Sequence, residues 1–384
     1  VGAIQHDVTE STDQAAEARM VDLFCELASI PSPSGLEGRC GEAVSRYLAD
    51  LGLDVHRDGA GANVGSDGDN LYCRLAPTVP GQPLFFCAHL DTVPPETLEP
   101  VVVDGVLRNA TPSIVGADNK AALVVMLDAI HTVVTDEIPH AGLELVLTIG
   151  EELGLVGSTA FDCSVLHAQS GYVFDHPGAI GGYVTAAPTR FVVRARMHGR
   201  SAHAAIAPES GVNAIVPLAQ AIASFPGASP AVAVNVALVG GGSAMNVVPD
   251  RSEVTVDVRG NDQDEARTVV DAIEAALRSA ADRAGCTVEV DVDRPYSGYR
   301  LPADSAALHL ALSAFSRLGL PTAEWETRGG SDANVFRNRG LDCVNLTHAV
   351  EGFHAPDERV AISDLVLMRD VTLTIIAEAR RADG

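Results

Sequence analysis

In the run FFCAHLDT, His89 and Asp91 stand two residues apart just past a compact apolar stretch. Such a stretch reads as a buried parallel strand, and the loop after it is where ligands bind in α/β sheets. A neutral imidazole suits Zn²⁺, and a nearby carboxylate fixes its tautomer and raises its basicity. His89 is therefore expected as a metal ligand with Asp91 orienting it; a solvated turn in which the two residues cap each other is the alternative. Asp118, in GADNK, comes at a helix start, where Asp or Asn ordinarily caps the helix, although its place between two core strands points to a functional loop. Glu151 and Glu152 follow the run LVLTI. Adjacent carboxylates near an apolar strand repel each other and lose solvation unless a cation compensates. One of them can ligate while the other takes a proton from an activated water, or the pair lies in an exposed loop. Asp175 ends the run YVF, and His354 sits in GFHAP near the end of the sequence. Five ligand-type residues that end or follow core strands form the pattern of a two-metal hydrolytic site.

Positioning these residues requires an alternating frame of strands and helices. Periodicity predicts helices over 15–30 and 38–51, short extended runs near 55 and over 71–75, and a buried strand over 83–88. A helix over 119–134 and buried strands over 143–149 and 171–174 follow, the order that gives a parallel sheet with helices on its faces. After Gly181 and Gly182 the pattern becomes strand 191–198, helix 211–225, strands 231–239 and 253–259, helix 262–284 and strand 287–292. That is β-α-β-β-α-β, a ferredoxin-like unit. Helix 303–318, strand 324–327, helix 332–339, strand 343–347 and a closing helix from 363 return to the first pattern. The expected fold class is α/β: a catalytic domain of residues 1–184 and 296–384 with a mostly parallel sheet flanked by helices, and an inserted ferredoxin-like α+β domain of residues 185–295.

With 384 residues, 47% hydrophobic and 20% charged, the chain suits a packed protein of two domains. No apolar run approaches the roughly 20 residues that span a bilayer. Asp7, Glu10 and Asp13 occupy a start with no signal-peptide pattern. A net charge of −25 opposes nucleic acid binding, and seven scattered cysteines without a close pair read as reduced thiols in a cytoplasmic protein. Lys120 is the one lysine among 26 basic residues. The chain lacks a Gly-x-Ser-x-Gly elbow, a phosphate-binding Gly-Lys-Ser/Thr loop and a Gly-x-Gly-x-x-Gly after a strand, so the competing enzyme classes lose their usual signals.

The ordered set HLDTVP, GADNKAA, GEELGLVGS, FDHPG, HGRSAHAAIAPESGVNAI, MNVVPD, GGSDANVF and FHAPDE, from about Val21 onward, resembles the cocatalytic dizinc peptidases in the branch around peptidase T. The resemblance implies that His89 and Asp175 hold one metal ion, Glu152 and His354 the other, and Asp118 bridges them. Asp91 would support His89, Glu151 would be the general base, and the peptide bond between Asp118 and Asn119 would be cis. The inserted domain would be the family's lid and dimerisation domain. Its His203 would polarise the scissile carbonyl, commonly in the partner's site; Asn246 and Arg259 would meet the substrate backbone and carboxylate, with Gly329 and Gly330 letting main chain approach the ligand. A surface hydrogen bond for His203 and a structural ion pair for Arg259 are the alternatives. Two departures stand out: Ala121 and Ala122 where the family often has Gly, and His176 beside a ligand in FDHPG, which bears on substrate preference.

The implied cofactors are two divalent ions, Zn²⁺ first and Co²⁺ or Mn²⁺ as alternatives. Asp rather than Glu at 175 resembles the aminopeptidase side of the family, so the expected activity is an aminopeptidase on short peptides such as tripeptides. A carboxypeptidase or N-acyl-amino-acid deacylase on the same scaffold is the alternative, and a catalytically silent peptide-binding homologue is the reading from another class. The expected partners are a short peptide and a second copy of the chain through the inserted domain, with neither nucleic acid nor membrane.

Overall fold

The computed structural model describes residues 2–381, with side chains from residue 14. The end residues of the expected catalytic domain, 1 and 382–384, lie outside that range. The chain divides into two compact units, one of residues up to 185, 301–325 and from 331 on, the other of 186–300 and 326–330.

The first unit begins with α1 (Gly2–Ala28), α2 (Gly38–Asp50), β1 (Val55–Arg57), α3 (Gly61–Val64), β2 (Leu71–Leu75) and β3 (Leu84–His89). It continues through β4 (Pro100–Val103), β5 (Val106–Asn109), α4 (Ala117–Thr135), β6 (Leu143–Thr148), α5 (Val156–Ala160), β7 (Ser170–His176) and β8 (Gly182–Ala187). The second unit holds β9 (Thr189–His198), α6 (Ile215–Ala223), β10 (Val232–Gly241), β11 (Arg251–Gly260), α7 (Gln263–Ala284), β12 (Thr287–Tyr296) and β13 (Tyr299–Arg300). The chain closes with α8 (Ala306–Arg317), β14 (Ala323–Glu326), α9 (Asp332–Asn338), β15 (Asp342–Thr347), β16 (Arg359–Ala361) and α10 (Ile362–Ala379).

The main sheet runs β1-β2-β6-β3-β7-β15-β8. Its centre, β6-β3-β7-β15, is parallel, while β2 and β8 pair antiparallel at its margins. Every residue of β3 and β6 is buried, which is why these strands read as unbroken apolar runs rather than alternating ones. Neighbouring side chains of a strand point to opposite faces. Phe85 meets Phe336 of α9 at 5.0 Å between ring centroids, while Phe86 meets Tyr172 at 5.6 Å, and the Tyr172 hydroxyl donates to Ala307 O of α8. Helices therefore cover both faces. Helix α4 is buried from Ala117 to Ile130, wrapped by α1 and α10.

Within this apolar layer Asp128 is fully buried and accepts from Arg19 Nε at 2.5 Å and Arg369 Nε at 2.6 Å, tying α4 to α1 and α10. Removing Arg369 leaves this buried carboxylate only the part-exposed Arg19 and loses one charge-assisted bond. Arg369→Ala is expected to destabilise the protein by about 1.5–3 kcal/mol, read from the midpoint of denaturant unfolding.

The second unit is a four-stranded antiparallel sheet of order β10-β11-β9-β12 with α6 and α7 packed against it around Val193, Val256, Val270 and Leu277. Numbered within the unit, that strand order is 4-1-3-2 read from β12, the ferredoxin-like arrangement expected from the sequence. Asp262 caps α7 through Asp264 N and Glu265 N, and Gly285 ends it in the left-handed region at φ 70°.

Several elements differ from the sequence expectation. Helix α1 starts thirteen residues before the apolar period begins, in a polar stretch that carries no periodic signal. Helix α6 starts at Ile215 rather than 211, because Asn213 Oδ1 takes the amides of Ile215 and Val216 and turns the chain first. The small sheet β16-β5-β4 was not expected; its strands have three or four residues, too few to show a period. Among the described residues no helix is long and apolar enough to cross a membrane.

Candidate metal centre

The first unit gathers the expected ligands at the carboxyl ends of its parallel strands. His89 ends β3, Asp175 lies next to the end of β7, Glu151 and Glu152 follow β6, Asp118 stands in the first turn of α4, and His354 lies in the loop between β15 and β16. His89 Nε2 is 3.3 Å from Asp118 Oδ1 and 3.8 Å from Asp175 Oδ1. On the other side of Asp118, His354 Nε2 is 3.4 Å from Oδ2 and 2.6 Å from Glu152 Oε1. Asp118 is thus flanked by one histidine on each carboxylate oxygen, and its peptide bond to Asn119 is cis.

The supporting contacts are as specific. Asp91 Oδ1 lies 3.3 Å from His89 Nδ1 and accepts from Glu151 N at 3.0 Å; its Oδ2 accepts from Ser34 Oγ at 2.6 Å and Glu152 N at 3.2 Å. The Asp91 backbone carbonyl accepts from His89 Nδ1 at 2.9 Å and orients the imidazole, while the buried Asp91 carboxylate fixes the backbone of both glutamates. Gly150, at φ 57°, makes the turn that delivers them, and its amide donates to the buried Glu37 at 3.0 Å. Asn119 Nδ2 donates to Asp175 Oδ1 at 3.2 Å, and Asn345 Oδ1 accepts from Asp175 N at 3.0 Å. Lys120, 1% exposed, donates to Ser32 Oγ at 2.9 Å. Burial lowers its pKa, while Cys40, Glu358 and Asp91 push the other way.

Electrostatically the cluster is over-supplied with negative charge. Burial and then the Asp175 carboxylate push Glu151 well up, and burial with Asp118 nearby carries Asp175 to about 7 despite the pull of His89. Burial works to lower the pKa of His89, yet the Asp118, Asp175 and Asp91 carboxylates hold it well above the ordinary range. His354 rises to about 10 through hydrogen bonds to Asp118 and Glu152.

The expected substrate residues belong to the second unit or its short return segment. His203 is exposed, and its Nδ1 accepts from Ala205 N and Ile206 N at 3.2 Å each, which leaves Nε2 as the protonated donor. Asn246 is exposed, with its carbonyl bound to Ala204 N. Arg259 pairs with Asp257 through Nε at 3.2 Å and Nη2 at 3.1 Å, the ion pair held open as its alternative. A side chain at Gly330 would collide with the Tyr296 ring at 2.4 Å, so there the missing Cβ makes room for Tyr296; at Gly329 only Thr327 Oγ1 comes near, at 3.6 Å.

The sequence matches the Peptidase dimerisation domain over residues 176–284 and Peptidase family M28 over residues 70–171. It is 33% identical over 368 residues to the uncharacterised protein YqjE of Bacillus subtilis, covering 95% of this chain and 99% of that one. An aminopeptidase of Bacillus cereus superposes with a TM-score of 0.84 at 32% identity, covering 94% of this chain and 98% of the other. A tripeptidase of Staphylococcus aureus gives 0.89 at 31% identity, with 95% and 99% covered. The chain belongs to the peptidase T-like metallopeptidases.

Enzymes of this family depend on two metal ions, and the residues here fit such a pair. Asp118 Oδ1 is buried and, among the described residues, has no hydrogen-bond partner, although His89 Nε2 is close by. An orphaned carboxylate oxygen beside an imidazole nitrogen costs free energy unless a cation takes both. Three overlapping sets of donor atoms, His89 with Glu151 and Asp175, His89 with Asp118 and Glu152, and Asp118 with Asp175 and His348, each lie within 4.8 Å of one another. Imidazole nitrogen with carboxylate oxygen suits a borderline divalent ion.

His348 was not singled out from the sequence. It is 1% exposed; its Nδ1 accepts from Val350 N at 3.0 Å, and its Nε2 lies 3.9 Å from Asp118 Oδ1. Burial drives it down to about 4, so it is a neutral imidazole facing the central aspartate. It directly follows β15, so the strand-end rule that selected His89 could have found it. Glu37 and Asn345 carry no comparable local signal.

Proposed function

We propose that this peptidase T-like metallopeptidase is an aminopeptidase that cuts short peptides, tripeptides among them, with two Zn²⁺ ions. The observation that carries the reading is Asp118 flanked by His89 and His354, with Glu151 buried alongside. Full-length likeness to an aminopeptidase and a tripeptidase supports the choice of peptide end. His89 and Asp175 would hold one ion, Glu152 and His354 the other, with Asp118 between them; ions so placed supply Lewis acidity toward the scissile carbonyl and the attacking water.

The protein's own groups then move the proton. Glu151 is 8% exposed and its backbone is pinned by Asp91, so its carboxylate stays beside the ligand set, in no ion pair among the described residues. It takes the proton of the attacking water and returns it to the leaving amine. The Asp91 backbone carbonyl, accepting from Nδ1 at 2.9 Å, keeps His89 in one tautomer with Nε2 toward the carboxylates. His203, with Nε2 as donor, is assigned to the developing oxyanion, and Asn246 and Arg259 to the substrate backbone and carboxylate. Tripeptides with a free, an acetylated or an amidated end test the choice. Cleavage of the free peptide but not the acetylated one is expected, with the amidated peptide cut at a raised KM because it lacks the carboxylate assigned to Arg259; cleavage of the acetylated peptide alone would replace the aminopeptidase with a deacylase or carboxypeptidase.

The assembly assigned is a homodimer through the second unit. Strand β10 is a ten-residue edge of its sheet, and Leu238 and Val239 on it are 68% and 67% exposed. Ile215 and Val216 on α6 are also exposed. A long unpaired apolar edge invites a second chain, and the match to a dimerisation domain covers it. Leu238→Asp is expected to convert the dimer to monomer in sedimentation velocity runs. The seven cysteines are all unpaired thiols, which supports a reducing, cytoplasmic setting.

A further inference from the structure

The motif FHAPDE supplies His354 to the metal set and leaves its last residue, Glu358, without a task. The structure gives it one. Glu358 is 2% exposed. Its Oε2 accepts from the backbone amides of Val115 at 2.8 Å, Gly116 at 2.6 Å and Ala117 at 3.1 Å, and its Oε1 from Asp118 N at 3.3 Å. Four consecutive amides of the segment that delivers Asp118 thus converge on one carboxylate from 240 residues away. None of these amides can count on a helical partner: Val115 and Gly116 precede α4, the backbone of Asp118 and Asn119 departs from helical angles within it, and Gly116, at its cap position, has no side chain to offer. A remote carboxylate supplies the acceptor, with the added strength of charge-assisted bonds.

Glu358 also belongs to the loop of the other ligand. Glu351 and Arg359 exchange backbone hydrogen bonds of 2.9 Å in each direction, closing residues 351–359 into a loop, and their side chains form an ion pair. His354 lies within that loop at φ 61°, a left-handed conformation uncommon for a residue with a side chain. The carboxylate at the base of the His354 loop therefore grips the main chain of the Asp118 loop.

We propose that Glu358 is a positioning residue that clamps the Asp118 loop to the His354 loop, so that donors from distant parts of the chain are presented together before a cation arrives. The proposal rests on the reading of Asp118 and His354 as ligands. Ordering the donors beforehand removes that cost from the binding step, and supporting contacts of this type typically change metal affinity about 10–100-fold.

The test uses metal-free full-length protein, wild type and Glu358→Gln, titrated with Zn²⁺ against a chromophoric chelator, with hydrogen exchange followed in parallel. Glutamine keeps the size but turns one acceptor into a donor facing other donors. The expected result is a Zn²⁺ affinity lowered about 10–100-fold and faster exchange at 115–118, with exchange across 186–300 unchanged and the metal-free protein still unfolding cooperatively at a lower thermal midpoint. Glu358→Asp, which keeps the charge but shortens the reach, should lie between. Wild-type affinity in Glu358→Gln would overturn the proposal whatever the exchange shows. Global unfolding of both variants would overturn it too, in favour of a purely structural role. Neither measurement uses a peptide, so loss of the aminopeptidase reading would leave this result standing, and the reverse holds.

Discussion

Glu151→Ala is expected to lower kcat by about 10²–10⁴-fold while both metal ions stay bound, measured by steady-state hydrolysis and by metal analysis of the same preparation. The size follows from a positioned base: without it the proton of the attacking water must go to solvent, which the buried setting disfavours. The metal analysis decides between two assignments of the neighbouring glutamates. Glu151, His89 and Asp175 offer donor atoms within 4.8 Å of one another, so a ligand role for Glu151 is a definite rival. If Glu151 were the ligand, its removal would release an ion. Glu152→Ala is expected to release one, since Glu152 meets His354 at 2.6 Å while Glu151 has no histidine this close among the described residues. Retained metal in Glu152→Ala and lost metal in Glu151→Ala would exchange the two roles.

Asp118→Ala is expected to abolish activity and to lose both ions, whereas His354→Ala loses one. Asp118 has a histidine near each oxygen, so deleting its carboxylate removes a donor from both places at once. Metal content after gel filtration in a weak chelator reads the difference directly. The fold should survive: Asp118 is held mainly through its backbone, by Glu358 and by α4, and its Oδ1 makes no hydrogen bond among the described residues. Retention of one tightly held ion by Asp118→Ala would remove the bridging role.

The strand ends were legible because burial on both faces writes a parallel strand as an apolar run, and chemistry sits where such a run stops. His89, the Glu151 and Glu152 pair and Asp175 all stood at such stops, and the ferredoxin-like order was legible from β9 to β12 because each element there is long enough to show its period. The short strands β4, β5 and β16 gave no period to read. Side chains that act across the fold were the least visible. Glu37 reaches Gly150 over 113 residues and Glu358 reaches the Asp118 segment over 240, and nothing beside either residue announces its partner. Arg259 suits carboxylate recognition by type, and Asp257, two positions away, holds its guanidinium. His348 directly follows β15 and meets the same strand-end rule as His89, although it lies outside the motifs that carry the family resemblance.

The buried ammonium of Lys120 has a use at the bench. A protease specific for lysine has one target in this sequence, and in the folded protein that target is sealed inside the first turn of α4. Brief pulses of such an enzyme should leave the native chain whole and split any opened molecule once, between residues 120 and 121. The ratio of two fragments to intact chain then clocks the opening of the first unit, with no label and no engineered site.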